Sequence, residues 1–126
     1  MEKKKILIID DEVGFTQMVK LNLEATGEYV VRTENKGSGG LAAAKEFKPD
    51  LILLDIIMPD MPGGDVAFQL NNDKETEEIP IVLLTAIVKT EEVEAHKGIM
   101  GGLPIIAKPV TVKELIDCIE KNMGKK

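Results

Sequence analysis

No tryptophan occurs among the 126 residues, and only one tyrosine and three phenylalanines do, although 44% of the chain is hydrophobic. The core must therefore be aliphatic, and stacking platforms for bases or sugars are poorly supplied. A single cysteine, Cys118, excludes an internal disulfide, fits a reducing compartment, and reads as a small packing residue. Basic residues are the minority, 16 against 22 acids, and the net charge of −6 repels nucleic acid and anionic membrane. No apolar run approaches a membrane span, and the four-residue run after the opening lysines is too short for a signal core. A soluble cytoplasmic protein follows as the expectation, with no direct nucleic-acid or membrane partner. Repeats, linkers and low-complexity tracts are also missing, and the length suits one domain over residues 1–126.

What is present is an alternation of short apolar runs with helical patterns. Residues 6–9, 29–32, 51–55, 79–84 and 103–107 read as five strands. The run from Leu51 has no polar alternation, which suits a strand covered on both faces. Phe15, Met18, Val19 and Leu23 fall at helical spacing before Gly27. Residues 36–47 predict a second helix whose glycine-rich opening should fray, and Asp65 is placed to cap a third. Residues 71–78 read as a surface loop, and 90–97 as a Glu-rich, weakly anchored helix. Thr111 and Glu114 form a capping box ahead of Val112, Leu115, Ile116, Ile119 and Met123. Such alternation predicts a parallel sheet with right-handed crossovers and helices on both sides.

In an open parallel sheet, ligands gather at the carboxyl edge of the strands. Asp10 and Asp11 follow the first strand, Asp55 ends the third, Thr85 ends the fourth, and Lys108 follows the fifth. Each has an ordinary explanation as a cap, turn residue or solvated charge. Taken together they put three acids, a hydroxyl and an ammonium at one rim. Three neighbouring carboxylates need an offsetting cation, and oxygen-only ligands select a hard one, Mg²⁺ in preference to Ca²⁺ in the absence of an EF-hand spacing. Mg²⁺ with Lys108 would neutralise a phosphoryl group, Thr85 would hydrogen-bond it, and a carboxylate can attack phosphorus. Asp55 is the candidate nucleophile, ending the most buried strand, while the Asp10–Asp11 pair is better placed for metal.

IIDDE, LILLDIIMPDMPG, VLLTA and AKP occur in the order and at the distances of the receiver domain of two-component response regulators, which the chain resembles from about Lys4 to Met123. The resemblance implies an α/β, flavodoxin-like three-layer sandwich, a five-stranded parallel sheet of order 2-1-3-4-5 with five helices. It implies Asp55 as phosphoacceptor, Mg²⁺ bound directly by Asp11, Asp55 and the backbone carbonyl of Ile57 and through water by Asp10, Thr85 as switch hydroxyl, and Lys108 on the phosphate. Implied partners are a sensor histidine kinase or phosphotransfer protein and a downstream protein read through helix four, strand five and helix five, with a phosphorylation-dependent dimer as a further expectation. Implied too is a signalling domain that catalyses only its own phosphorylation and dephosphorylation, with a cis Lys108–Pro109 bond.

The sequence also departs from that pattern. Ile105 stands three residues before the lysine, where relatives carry Tyr or Phe, so the aromatic half of the usual switch is missing. Ile57 and Ile87 stand two residues past Asp55 and Thr85, where polar side chains in relatives orient a hydrolytic water; a long-lived phosphorylated form follows as a hypothesis. His96 reads as a solvated histidine on a Glu-rich helix. Three other readings share parts of the pattern. An FMN-binding flavodoxin would need a Ser/Thr- and Gly-rich loop where Asp10, Asp11 and Glu12 stand. An aspartate-nucleophile phosphatase would need a second acid where Ile57 stands. A degenerate receiver used as a scaffold is kept open by Ile105.

Overall fold

The computed structural model describes residues 2–85, 99–100, 103–108 and 110–123. In chain order the strands are β1 (Lys4–Ile9), β2 (Tyr29–Glu34), β3 (Leu51–Asp55), β4 (Ile81–Thr85), β5 (Ile99–Met100) and β6 (Leu103–Ala107). The helices among the described residues are α1 (Val13–Ala25), α2 (Gly40–Phe47), α3 (Gly63–Asn71) and α4 (Val112–Asn122). The sheet order is β2-β1-β3-β4-β6-β5, and β5 pairs with β6 antiparallel. The five parallel strands alone give the expected 2-1-3-4-5 order. Four helices, not five, belong to the described residues; the helix expected over 90–97 lies outside them, as do Ile87, His96 and the Lys108–Pro109 bond.

Strand periodicity sorts the aliphatic side chains onto two faces. Leu7, Ile9, Ile52, Leu54, Ile81 and Leu83 meet Ala43, Ala44, Val66 and Leu70 of α2 and α3. Ile6, Ile8, Leu51, Leu53, Val82 and Leu84 meet Val19 and Leu23 of α1 and Leu115 and Ile119 of α4. Both faces are covered, so strands without a polar side are the stable solution. The capping box forms as the spacing predicts: the Glu114 N–H donates to Thr111 Oγ1 at 3.1 Å and the Thr111 N–H to Glu114 Oε1 at 3.0 Å.

Several boundaries differ for identifiable reasons. β1 begins at Lys4 because its backbone pairs with Tyr29 whatever its side chain does. β4 begins after Pro80, which has no N–H to give but whose carbonyl accepts from Ile52 at 2.9 Å. On α1 the buried face takes Thr16 with Val19 and Leu23, while Met18 is exposed. α3 begins at Gly63, two residues before the expected cap Asp65. The stretch expected as a surface loop over 71–78 folds inward at Thr76, whose buried hydroxyl donates to the Leu70 carbonyl at 2.6 Å. The glycine-rich opening of α2 does not fray: Gly37–Gly39 is a 3₁₀ turn whose Gly37 and Ser38 N–H groups donate to the Asp60 carboxylate at 3.0 and 2.9 Å.

Candidate functional site

The parallel register delivers the singled-out residues to one edge of the sheet. Asp10 follows β1, its N–H donating to the Glu34 carbonyl at 3.0 Å and its Oδ1 accepting the Glu12 N–H at 2.9 Å. That second bond closes a turn just ahead of α1. Asp55 is the last residue of β3, opposite Leu84, and the next N–H, of Ile56, donates to the Leu84 carbonyl at 3.0 Å. Gly63 lies directly against this strand end: a Cβ there would overlap the Asp55 carbonyl, so only glycine lets α3 begin so close. Thr85 is the buried last residue of β4, and its carbonyl accepts the Lys108 N–H at 2.8 Å.

One carboxylate oxygen each from Asp10, Asp11 and Asp55 lie within 4.8 Å of one another, with Asp11 the most open to solvent of the three. The Lys108 ammonium sits 2.6 Å from Asp10 Oδ2, 2.7 Å from Glu12 Oε1 and 3.8 Å from Asp55 Oδ2. Burial first, then the Asp10 charge, pushes Asp55 up to about 6, against the pull of Lys108. Burial alone would lower Lys108, but its close contacts with the Asp10 and Glu12 carboxylates outweigh it and leave its pKa raised. Asp10 Oδ2 is fully buried, and its neighbour among the described residues is the Lys108 ammonium at 2.6 Å. A fully buried anionic oxygen among oxygen-only ligands, with four acids around one lysine among the described residues, fits a hard divalent cation that keeps part of its water shell.

The remaining singled-out residues are placed as follows. The Ile57 N–H reaches Asp55 Oδ1 at 3.4 Å and its side chain is half exposed. Ile105 is 4% exposed and packs in the same core as Leu83, so it is a core residue and not a surface one. Cys118 packs against the other core, and burial pushes its thiol up. Three residues at the site escaped the sequence reading. Glu12 bridges to Lys108, the Phe15 ring centroid lies 4.5 Å from the Lys108 ammonium, and Asp60 ties the loop after β3 to the start of α2. Glu12 follows an acidic pair and Phe15 comes three positions later, which was signal enough for a shared helix face but not for what that face meets.

The family model "Response regulator receiver domain" matches residues 6–120. Protein PilH of Pseudomonas aeruginosa is 38% identical over 118 residues, covering 91% of this chain and 93% of its own. The DNA-binding dual master transcriptional regulator RpaA of Synechocystis is 35% identical over 112 residues, 89% of this chain and 46% of its own. The chain thus spans nearly all of the one relative and about half of the other. Among solved structures, Vibrio cholerae chemotaxis protein CheY4, crystallized at low pH, superposes with a TM-score of 0.82 at 27% identity over 97% of this chain and 100% of that one.

Proposed function

Since the chain belongs to the response regulator receiver domain family, we propose that it takes a phosphoryl group onto Asp55 from a phosphohistidine of a sensor histidine kinase or phosphotransfer protein. The observation that carries this reading is the approach of three carboxylates within 4.8 Å beside a lysine 3.8 Å from Asp55 Oδ2. Asp10, Asp11, Asp55 and the backbone carbonyl of Ile57 would hold Mg²⁺, whose contribution is to neutralise the phosphoryl oxygens. An Asp55 carboxylate oxygen forms the new O–P bond, the donor's P–N bond breaks, and the imidazole leaves with the electron pair. Lys108 offsets charge on the incoming group, and Thr85 donates a hydrogen bond to it from the next strand tip. With its pKa at about 6, Asp55 is mostly ionised at neutral pH and available as ligand and nucleophile.

The same reading makes this a signalling domain whose only catalysis is on its own phosphoryl group. Its output is a changed surface around Thr85 and β6, read by a downstream protein or by a second copy in a phosphorylation-dependent dimer. Ile105, buried in the core, offers no aromatic handle, so the coupling runs through the Thr85 end of β4 instead. The half-exposed Ile57 side chain gives a hydrolytic water nothing to hydrogen-bond, which makes for a long-lived phosphorylated form. Ile57→Asn should then shorten the lifetime severalfold, and equal lifetimes would remove that part of the reading. The decisive experiment is incubation with acetyl phosphate and Mg²⁺ followed by intact mass. Wild type should gain one phosphoryl group and Asp55→Asn none; uptake by both, or by neither, would contradict the assignment and would favour the scaffold reading in the latter case.

A further inference from the structure

A lysine ammonium is a compact, strongly hydrated charge on a flexible stem, and four single bonds let it sample many positions. At this site it is fixed: the Lys108 side chain is 8% exposed, with Asp10 and Glu12 oxygens at 2.6 and 2.7 Å and Asp55 at 3.8 Å. Carboxylates alone leave that placement open, because a charge shared among three acids could settle toward any one of them. A further neighbour is an aromatic ring, Phe15, whose centroid lies 4.5 Å from the ammonium. That distance is well inside the range in which the negative face of a ring attracts a cation. Phe15 comes three residues after Glu12, so the N-cap and first turn of α1 together present the Oε1 partner and the ring to the same ammonium. The ring also packs against the core shared by α1 and α4, which fixes its own position.

We infer that Phe15 is a positioning residue for phosphoryl capture, holding the Lys108 ammonium against the acidic pocket through its ring face and keeping water from that side. The inference rests on the phosphoacceptor reading of Asp55. A Leu at this position would fill similar space in the core and would present no ring face. The ammonium would then be free to hydrate or to move out toward Glu12, and the incoming phosphoryl group would meet a less well placed cation.

Acetyl phosphate kinetics in Mg²⁺ should be compared for wild type, Phe15→Leu, Phe15→Trp, trifluorophenylalanine at position 15, and Phe15→Leu combined with Lys108→Ala. Phosphorylation should slow roughly tenfold in Phe15→Leu, be largely restored in Phe15→Trp, and fall between wild type and Leu for the fluorinated ring, which keeps shape and loses π charge. In the Lys108→Ala background the Phe15→Leu cost should vanish. A Phe15→Leu rate within twofold of wild type, a fluorinated ring as good as phenylalanine, or an equal cost without Lys108 would each overturn the inference. A second readout stands apart from the chemistry: the Lys108 Cε protons should be shifted upfield by the ring current in wild type and lose that shift in Phe15→Leu. If wild type takes no phosphoryl group, the reading of Asp55 fails by itself, and this shift alone decides whether Phe15 seats the lysine; a shift unchanged by Phe15→Leu says that it does not.

Discussion

Two lysine–carboxylate clusters stand at opposite edges of the same sheet. At the amino edge, Lys4 meets Glu120 at 2.8 Å, and Glu120 also accepts from the Tyr29 hydroxyl; the two charged side chains are 41% and 46% exposed. There one lysine makes a direct ion pair with one carboxylate, and the hydrogen bond from Lys4, followed by that from Tyr29, holds the Glu120 carboxyl below its usual range. At the carboxyl edge, Lys108 faces Asp10, Glu12 and Asp55, with Asp11 alongside, and the side chains of Lys108, Asp10 and Asp55 are 8%, 0% and 7% exposed. The residue types are the same. What separates a surface tether from a candidate site is burial combined with uncompensated charge, which raises Asp55 where Glu120 is lowered.

The sharpest way to break that contrast is chemical. Asp55→Asn should abolish phosphoryl uptake from acetyl phosphate, while Glu120→Gln should leave the rate within twofold of wild type; a comparable loss in both would erase the distinction. Next in size, Lys108→Ala should slow uptake by about a hundredfold, as loss of a preorganised charge partner does, and should tighten Mg²⁺ binding by removing a competing cation. Kinetics and a metal titration on one sample check both signs.

Stability gives the third contrast. The folded pKa of Asp55, about 6, lies above the ordinary 3.8, so the fold prefers the protonated acid and loses stability as pH rises through that window. In metal-free protein, Asp55→Asn should therefore be the more stable form above pH 6, by on the order of 2 kcal/mol, with the gap closing as pH falls toward 4. Urea unfolding at pH 8 and pH 4 measures it. The smallest effect belongs to the amino edge: Lys4→Ala should leave the unfolding midpoint indistinguishable from wild type, as is usual for an exposed pair.

The parts of the fold governed by local or periodic signals could be read from the chain. Four aliphatic residues in a row before Asp55 announced a doubly covered strand, and Thr111 with Glu114 announced a helix start that forms as spaced. Features set by contacts between distant segments could not. The Gly37–Gly39 turn reads as a fraying end until Asp60, 23 residues from Gly37, supplies its acceptors. Thr76 reads as surface until Leu70 offers a carbonyl inside. At the site, the strand-tip acids were legible because strand ends are legible, whereas Glu12 and Phe15 gain their meaning only when Lys108, more than 90 residues later, arrives between them.

The claim on which the contrast depends is that the carboxyl-edge acids carry more charge than Lys108 offsets and therefore bind a hard cation. Titration calorimetry with Mg²⁺ tests it most directly. Wild type should bind one ion, Asp55→Asn should bind it much more weakly, and Glu120→Gln should match wild type. An absence of binding in wild type, or affinity unchanged by Asp55→Asn, would contradict the account.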